Sequence, residues 1–232
     1  MQIGGLQKTT LLDFPGKISA VVFTQGCNFL CPYCHNPDLV LHGREPLALD
    51  AVVAFLAKRR NVLEGVVISG GEPTLQDDLF GFCATLKSLG LAVKLDTNGS
   101  RPEVLRQLLQ ADLLDHVAMD VKANPKRYPA ILCPQDLGDN IARSMALLEE
   151  SQVPHEFRVP CVSPFMDTDS FAALLEHIAH APLFLQAVRL EHVLQADFFP
   201  NPGRAMNKDE MENLCAAAHR KGLTCHIRNG TG

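Results

Sequence analysis

A chain of 232 residues, 47% hydrophobic and 20% charged, holds enough apolar material for a sizeable core and falls within the size of one α/β domain. Its formal net charge of -5, with basic residues scattered rather than striped, excludes nucleic acid as a main partner, because nothing would neutralise a run of phosphates. The opening MQIGGLQKTTLLDFPGK lacks the apolar stretch of an export signal, and no later run approaches the ~20 residues of a membrane span, so a cytoplasmic protein with no membrane partner is expected.

Residues 1–17 read as an N-terminal extension, and the first apolar run, Ile18–Phe23, reads as a strand leading into a cysteine-rich loop. Helical periodicity over Leu49–Arg59 then gives way to a strand at Val66–Ser69 and a Gly-Gly turn. The alternation continues with a helix at Leu79–Leu89, a strand at Ala92–Asp96, a helix at Pro102–Leu109 and a strand at His116–Asp120. It closes with a helix at Asn140–Glu150, a strand at His155–Val159, a helix at Ser170–Ala179 and a strand at Ala187–Glu191. Residues 207–232 add a final helix, Lys208–Lys221, and an extra strand, Thr224–Ile227.

This order of short β-rich and longer amphipathic runs predicts βα units feeding a parallel sheet. Six units fall short of the eight, over ~250 residues, that close a barrel, so an incomplete (β/α)6 TIM-like barrel, open on one side and forming one domain over 1–232, is expected. Parallel sheets place ligands at the carboxyl ends of their strands, where Cys27, Gly70, Asp96 and Asp120 fall.

Eight cysteines suggest a disulfide framework only in an oxidising compartment, and no export signal points to one. Cys27, Cys31 and Cys34 lie within eight residues as CxxxCxxC, whereas Cys83, Cys133, Cys161, Cys215 and Cys225 are dispersed and read as core or surface thiols. Three thiolates on a four-iron cluster leave one iron without a protein ligand, free to bind a substrate. The same three with His35 could instead close a zinc tetrahedron.

With Tyr33 before its last cysteine, the motif resembles that of the radical S-adenosylmethionine (SAM) enzymes. The resemblance implies a radical SAM barrel, a [4Fe-4S] cluster on Cys27, Cys31 and Cys34, and S-adenosylmethionine chelated to the open iron and cleaved reductively to a 5'-deoxyadenosyl radical. The Gly70-Gly71-Glu72-Pro73 turn is similar to the family's GGEP motif, which holds the methionine amino group; alone it is an ordinary tight turn. Asp96-Thr97-Asn98-Gly99 and Met119-Asp120-Val121-Lys122 read by themselves as an Asn-Gly turn and an ion pair. They also resemble segments of glycyl-radical activating enzymes, which implies that Asp96, Thr97, Asp120 and Lys122 surround the methionine carboxylate, partly through a monovalent cation held by the two aspartates. Arg158 suits the same carboxylate or a structural salt bridge, His192 is placed where related enzymes contact the nucleoside, and His35 and Asn36 flank the cluster.

Gly5 to Lys17, followed by the CPYCHNP loop, is similar to the activating proteins of anaerobic ribonucleoside-triphosphate reductase. That resemblance implies a partner enzyme that receives a glycyl radical and an electron donor of the flavodoxin or ferredoxin type. Activation of another glycyl-radical enzyme such as pyruvate formate-lyase, modification of a small molecule or peptide, and a non-catalytic iron–sulfur or zinc module are the alternatives.

Overall fold

The computed structural model describes residues 1–125, 128–199 and 201–228, which group into two compact units. The first comprises Met1–Asn28, Asn36–Thr97 and Glu103–Val117. Its strands are β1 (Ile3–Thr10), β2 (Ser19–Thr24), β3 (Gly65–Gly70) and β4 (Ala92–Thr97). β2, β3 and β4 run parallel, with Ser19 opposite Gly65 and Val66 opposite Val93. The apolar runs of β2 and β3 are buried on both faces, as a sheet covered by helices requires. Phe14, Val21 and Val67 form a core cluster here, with Phe23 and Ala92 packed against it. A β-carbon at Gly65 would stand 2.9 Å from the Phe14 ring and 3.0 Å from the Ala92 carbonyl oxygen, so the ring would have to shift. Helices α1 (Pro37–Val40), α2 (Leu49–Arg59), α3 (Leu79–Ser88) and α4 (Pro102–Gln110) connect the strands. α2 opens on Asp50 and closes on Lys58 and Arg59, charges that suit the two poles of its dipole.

β5 (His116–Asp120) carries the chain from the first set of residues into the second unit, Phe29–His35, Asn98–Pro102 and Ala118–Gly232. There β6 (His155–Pro160), β8 (Leu183–Gln186) and β10 (Cys225–Arg228) pair in parallel, Leu183 standing opposite both Phe157 and Cys225. A short antiparallel ribbon joins β7 (Val162–Ser163) to β9 (Arg204–Ala205). Helices α5 (Gly138–Glu150), α6 (Thr168–Leu175) and α7 (Lys208–Arg220) complete it. α7 starts on a capping box between Asn207 and Glu210, which satisfies two amides that the helix leaves unpaired.

The main sheet is ordered β1-β2-β3-β4-β5-β6-β8-β10, and among the described residues its end strands are not joined, so the parallel-dominated sheet is open. No helix among the described residues is long and apolar enough to cross a membrane.

Two strands of the main sheet depart from the sequence reading. The N-terminal extension contains β1, an edge strand whose two glycines and exposed Gln7, Lys8 and Thr9 carry no alternation, and whose order comes from antiparallel pairing with β2. The sixth predicted strand, Ala187–Glu191, lies instead at Leu183–Gln186. The run LFLQAVRL admits either frame; the earlier one alternates buried and half-buried and pairs on both sides, with β6 and β10.

Candidate functional site

In the first unit, β2 leads through Gln25 and Gly26 to Cys27. Gly26, at φ 86°, donates its amide to the Leu39 carbonyl at 2.7 Å and accepts the Glu72 amide at 2.8 Å. The Gly71 amide reaches the Thr24 carbonyl at 2.9 Å, and a β-carbon on Gly71 would stand 2.1 Å from the Gly26 oxygen. The two glycines of the GGEP turn therefore allow the strand ends of β2 and β3 to touch, fixing the point at which the cysteine loop departs.

Glu72 is fully buried. Its Oε1 accepts the Thr74 amide at 3.1 Å, the Thr74 hydroxyl at 2.5 Å and the Thr97 hydroxyl at 2.6 Å. Three donors on one buried oxygen hold the carboxylate in one orientation. On β4, Lys94 and Asp96 share a face at period two, and Lys94 Nζ lies 2.6 Å from Asp96 Oδ1 with the lysine completely buried.

In the second unit, the backbone of the cysteine loop is tied at successive carbonyls. Leu194 donates its amide to the Cys34 carbonyl and Gln195 to the Pro32 carbonyl, both at 3.0 Å, while the Gln195 side chain reaches the Leu30 carbonyl at 3.3 Å. The Leu30 amide in turn donates to the Leu132 carbonyl at 2.8 Å. Aromatic rings flank the loop: Phe29 against Tyr128 at 5.5 Å, Tyr33 against Phe165 at 5.9 Å, and Phe165 stacked on Phe198 at 5.3 Å.

Behind this loop, Lys122 Nζ pairs with Asp120 Oδ2 at 2.8 Å, and the Lys122 amide donates to the Tyr128 hydroxyl at 2.8 Å. Burial pushes the Cys31 thiol up to about 12, against the Lys122 ammonium, which favours the thiolate. Burial also works against the Lys122 charge, but Asp120, Cys31 and Tyr128 outweigh it and keep the ammonium protonated well above its ordinary range.

The remaining candidates are placed differently. His35 and Asn36 are exposed, with the Asn36 carbonyl opening α1 by accepting the Leu39 and Val40 amides at 3.1 Å. Arg158 gives its Nε to Glu156 Oε1 at 2.7 Å, and Arg228 donates to both oxygens of the same carboxylate at 3.0 and 3.1 Å. His192 sits exposed in a turn at φ 55° rather than at a strand end, because the preceding strand is four residues earlier than its sequence suggests.

Reading the sequence did not single out Lys94, which lies inside the predicted strand Ala92–Asp96, or Tyr128, which lies in a loop without a motif. Leu194 and Gln195 act mainly through their backbone, and a backbone contact leaves no mark on residue type. All five dispersed cysteines are buried, and three of them meet: burial, a hydrogen bond with Cys215 and the neighbouring Cys161 together raise the Cys225 thiol.

Comparisons with known proteins bear on this arrangement. Residues 21–179 match the Radical SAM superfamily. The chain is 33% identical over 190 residues to a Methanocaldococcus jannaschii protein named as a glycyl-radical enzyme activating enzyme, covering 78% of this chain and 77% of that one. It is 35% identical over 130 residues to the pyruvate formate-lyase-activating enzyme of Listeria monocytogenes, spanning 50% of this chain and 52% of that enzyme. Among solved structures, a radical SAM methyltransferase from Sphaerobacter thermophilus superimposes with a TM-score of 0.67 at 15% identity, over 97% of this chain and 70% of that one. Streptococcus suis SuiB bound to S-adenosylmethionine superimposes at 0.62 and 13% identity, over 90% of this chain and 49% of that one. At such identities the likeness is one of fold.

Proposed function

This chain belongs to the radical SAM superfamily, and we propose that it is an activating enzyme that generates a radical on one glycine of a partner enzyme, anaerobic ribonucleotide reductase. The observation that carries this reading is the 33% identity over 190 residues to a relative named for glycyl-radical activation. The choice of the reductase rests on Gly5 to Lys17 and the CPYCHNP loop. If bound, a [4Fe-4S] cluster and S-adenosylmethionine would supply one-electron reductive cleavage of the sulfonium and, through it, abstraction of a hydrogen atom from the glycine α-carbon.

The residues suit those groups. Cys27, Cys31 and Cys34 offer three sulfurs from one loop whose carbonyls are pinned, and Lys122 supplies positive charge beside Cys31 where thiolates must form. Glu72, aimed by Thr74 and Thr97, offers a preoriented carboxylate to the methionine ammonium, with Gly70 and Gly71 clearing the turn. Asp96, Thr97, Asp120, Lys122 and Arg158 are proposed around the methionine carboxylate, His192 near the nucleoside, and Tyr33, His35 and Asn36 around the cluster. A monovalent cation at the aspartates would compete with the ammonium each already holds, Lys94 on Asp96 and Lys122 on Asp120. The electron donor is proposed to be of the flavodoxin or ferredoxin type.

A second reading, activation of pyruvate formate-lyase, is favoured by the 35% identity to its activating enzyme. Anaerobic reconstitution, reduction and mixing with each partner distinguishes them by electron paramagnetic resonance. A glycyl doublet that grows only with the reductase supports the first reading. A doublet only with pyruvate formate-lyase supports the second, and cleavage of S-adenosylmethionine with neither doublet points to a small-molecule or peptide substrate.

A further inference from the structure

Three groups converge at the amino-terminal ends of β6 and β8. Glu149 lies in the last turn of α5, His155 opens β6, and His180 precedes β8 in the adjoining loop. One ligand atom from each lies within 4.8 Å of the others. Glu149 Oε2 is 2.8 Å from His180 Nδ1, and the carboxylate is oriented by the His180 and Ala181 amides at 3.3 and 3.4 Å.

His155 provides the independent observation. Its Nδ1 lies 2.9 Å from the Val153 carbonyl, and since a carbonyl can only accept, Nδ1 carries a proton, which in the neutral imidazole leaves Nε2 as the acceptor. That Nε2 is buried with no hydrogen-bond partner, on a residue only 8% exposed. A buried lone pair with nothing to accept is unfavourable, and a backbone carbonyl on the opposite ring nitrogen is the arrangement that orients metal-binding imidazoles.

We propose that Glu149, His155 and His180 bind one divalent transition-metal ion of the zinc type, with water as the fourth ligand. Two imidazoles and one carboxylate select against the oxygen-seeking calcium and magnesium. Bonds of ~2.0–2.1 Å imply edges of roughly 3.3 Å in a tetrahedron, against present separations of 2.8 Å between Glu149 and His180 and no more than 4.8 Å overall. One ligand faces solvent: His180 is 63% exposed, so an ion can enter from its side. Its place at the amino-terminal strand ends marks it as a staple between the turn after α5 and the loop before β8, since in parallel α/β folds that end serves stability rather than chemistry.

The test is zinc retention by the cluster-loaded protein, given one equivalent of Zn²⁺ and desalted, read by metal analysis and zinc-edge X-ray absorption. Close to one zinc per chain in a nitrogen and oxygen shell at ~2.0–2.1 Å is expected. His180→Ala and Glu149→Gln, both at partly accessible or helix-end positions, are expected to bind at least tenfold more weakly with unchanged iron content and circular dichroism. Absence of retained zinc, a sulfur shell at ~2.3 Å that places the ion on cysteines, or equal retention by His180→Ala overturns the proposal. These readouts are independent of any partner or of S-adenosylmethionine cleavage.

Discussion

The Thr97 hydroxyl donates to Glu72 Oε1 at 2.6 Å, joining the last residue of β4 to the turn that follows β3. A hydrogen bond to a buried carboxylate contributes about 1.5–3 kcal/mol. Thr97→Val is therefore expected to lower stability by that amount in urea denaturation, while Thr97→Ser restores most of it. An unchanged midpoint for Thr97→Val would mean that the bond carries no net weight.

Gly71→Ala is expected to be far more severe than a loop substitution usually is. Its β-carbon would meet the Gly26 carbonyl at 2.1 Å, a backbone atom that cannot rotate away, and the displaced segment is the one that delivers Cys27. Iron content after anaerobic reconstitution should fall at least several-fold. Full iron loading would show that the glycine contact does not position the loop.

Cys31→Ala should prevent normal cluster assembly and abolish reductive cleavage of S-adenosylmethionine. Undiminished 5'-deoxyadenosine formation by this variant contradicts the assignment of the loop.

Asp120→Asn separates cofactor binding from cluster assembly. It removes the charge 2.8 Å from Lys122 Nζ but leaves all three cysteines, so iron content should hold while affinity for S-adenosylmethionine falls about tenfold or more. Unchanged affinity in an anaerobic titration removes Asp120 from the proposed pocket.

Glu156 sets an acid limit on stability. Burial raises its carboxyl, but hydrogen bonds from Arg228 and the nearby Arg158 outweigh burial and hold it below the ordinary range. A carboxyl depressed in the folded state gives stability that is complete above its unfolded value of about 4.3 and disappears as pH falls through the lower folded value. The native protein should thus lose stability steeply below about pH 4.3. Glu156→Gln, less stable at neutral pH, should lose less over the same range; parallel pH profiles would exclude this carboxylate as a contributor.

The alternating pattern made the parallel core legible because strands buried on both faces must be apolar nearly throughout, as Val66, Val67 and Ile68 are. β1 escaped notice because an edge strand is specified by its partner, and Gly4, Gly5 and Gln7 carry no periodic signal. Leu183–Gln186 and Ala187–Glu191 lie in one continuous run, and pairing on both sides, with β6 and β10, selects the first. In the proposed site, residue types singled out the cysteines and the GGEP turn, since that chemistry needs particular atoms at fixed spacing. The burial of Lys94 against Asp96, the commitment of Arg158 to Glu156 and the meeting of Cys215 with Cys225 depend on tertiary proximity, which spacing does not encode.

The tether from Gln195 to the Leu30 carbonyl spans 165 positions of the polypeptide. A nascent chain emerging from the ribosome presents its thiols long before the segment that restrains them exists, so the loop takes its native shape only after Leu194 and Gln195 have been made. Translation products halted before Leu194 would display the entire CxxxCxxC sequence and still lack the clasp that gives it shape.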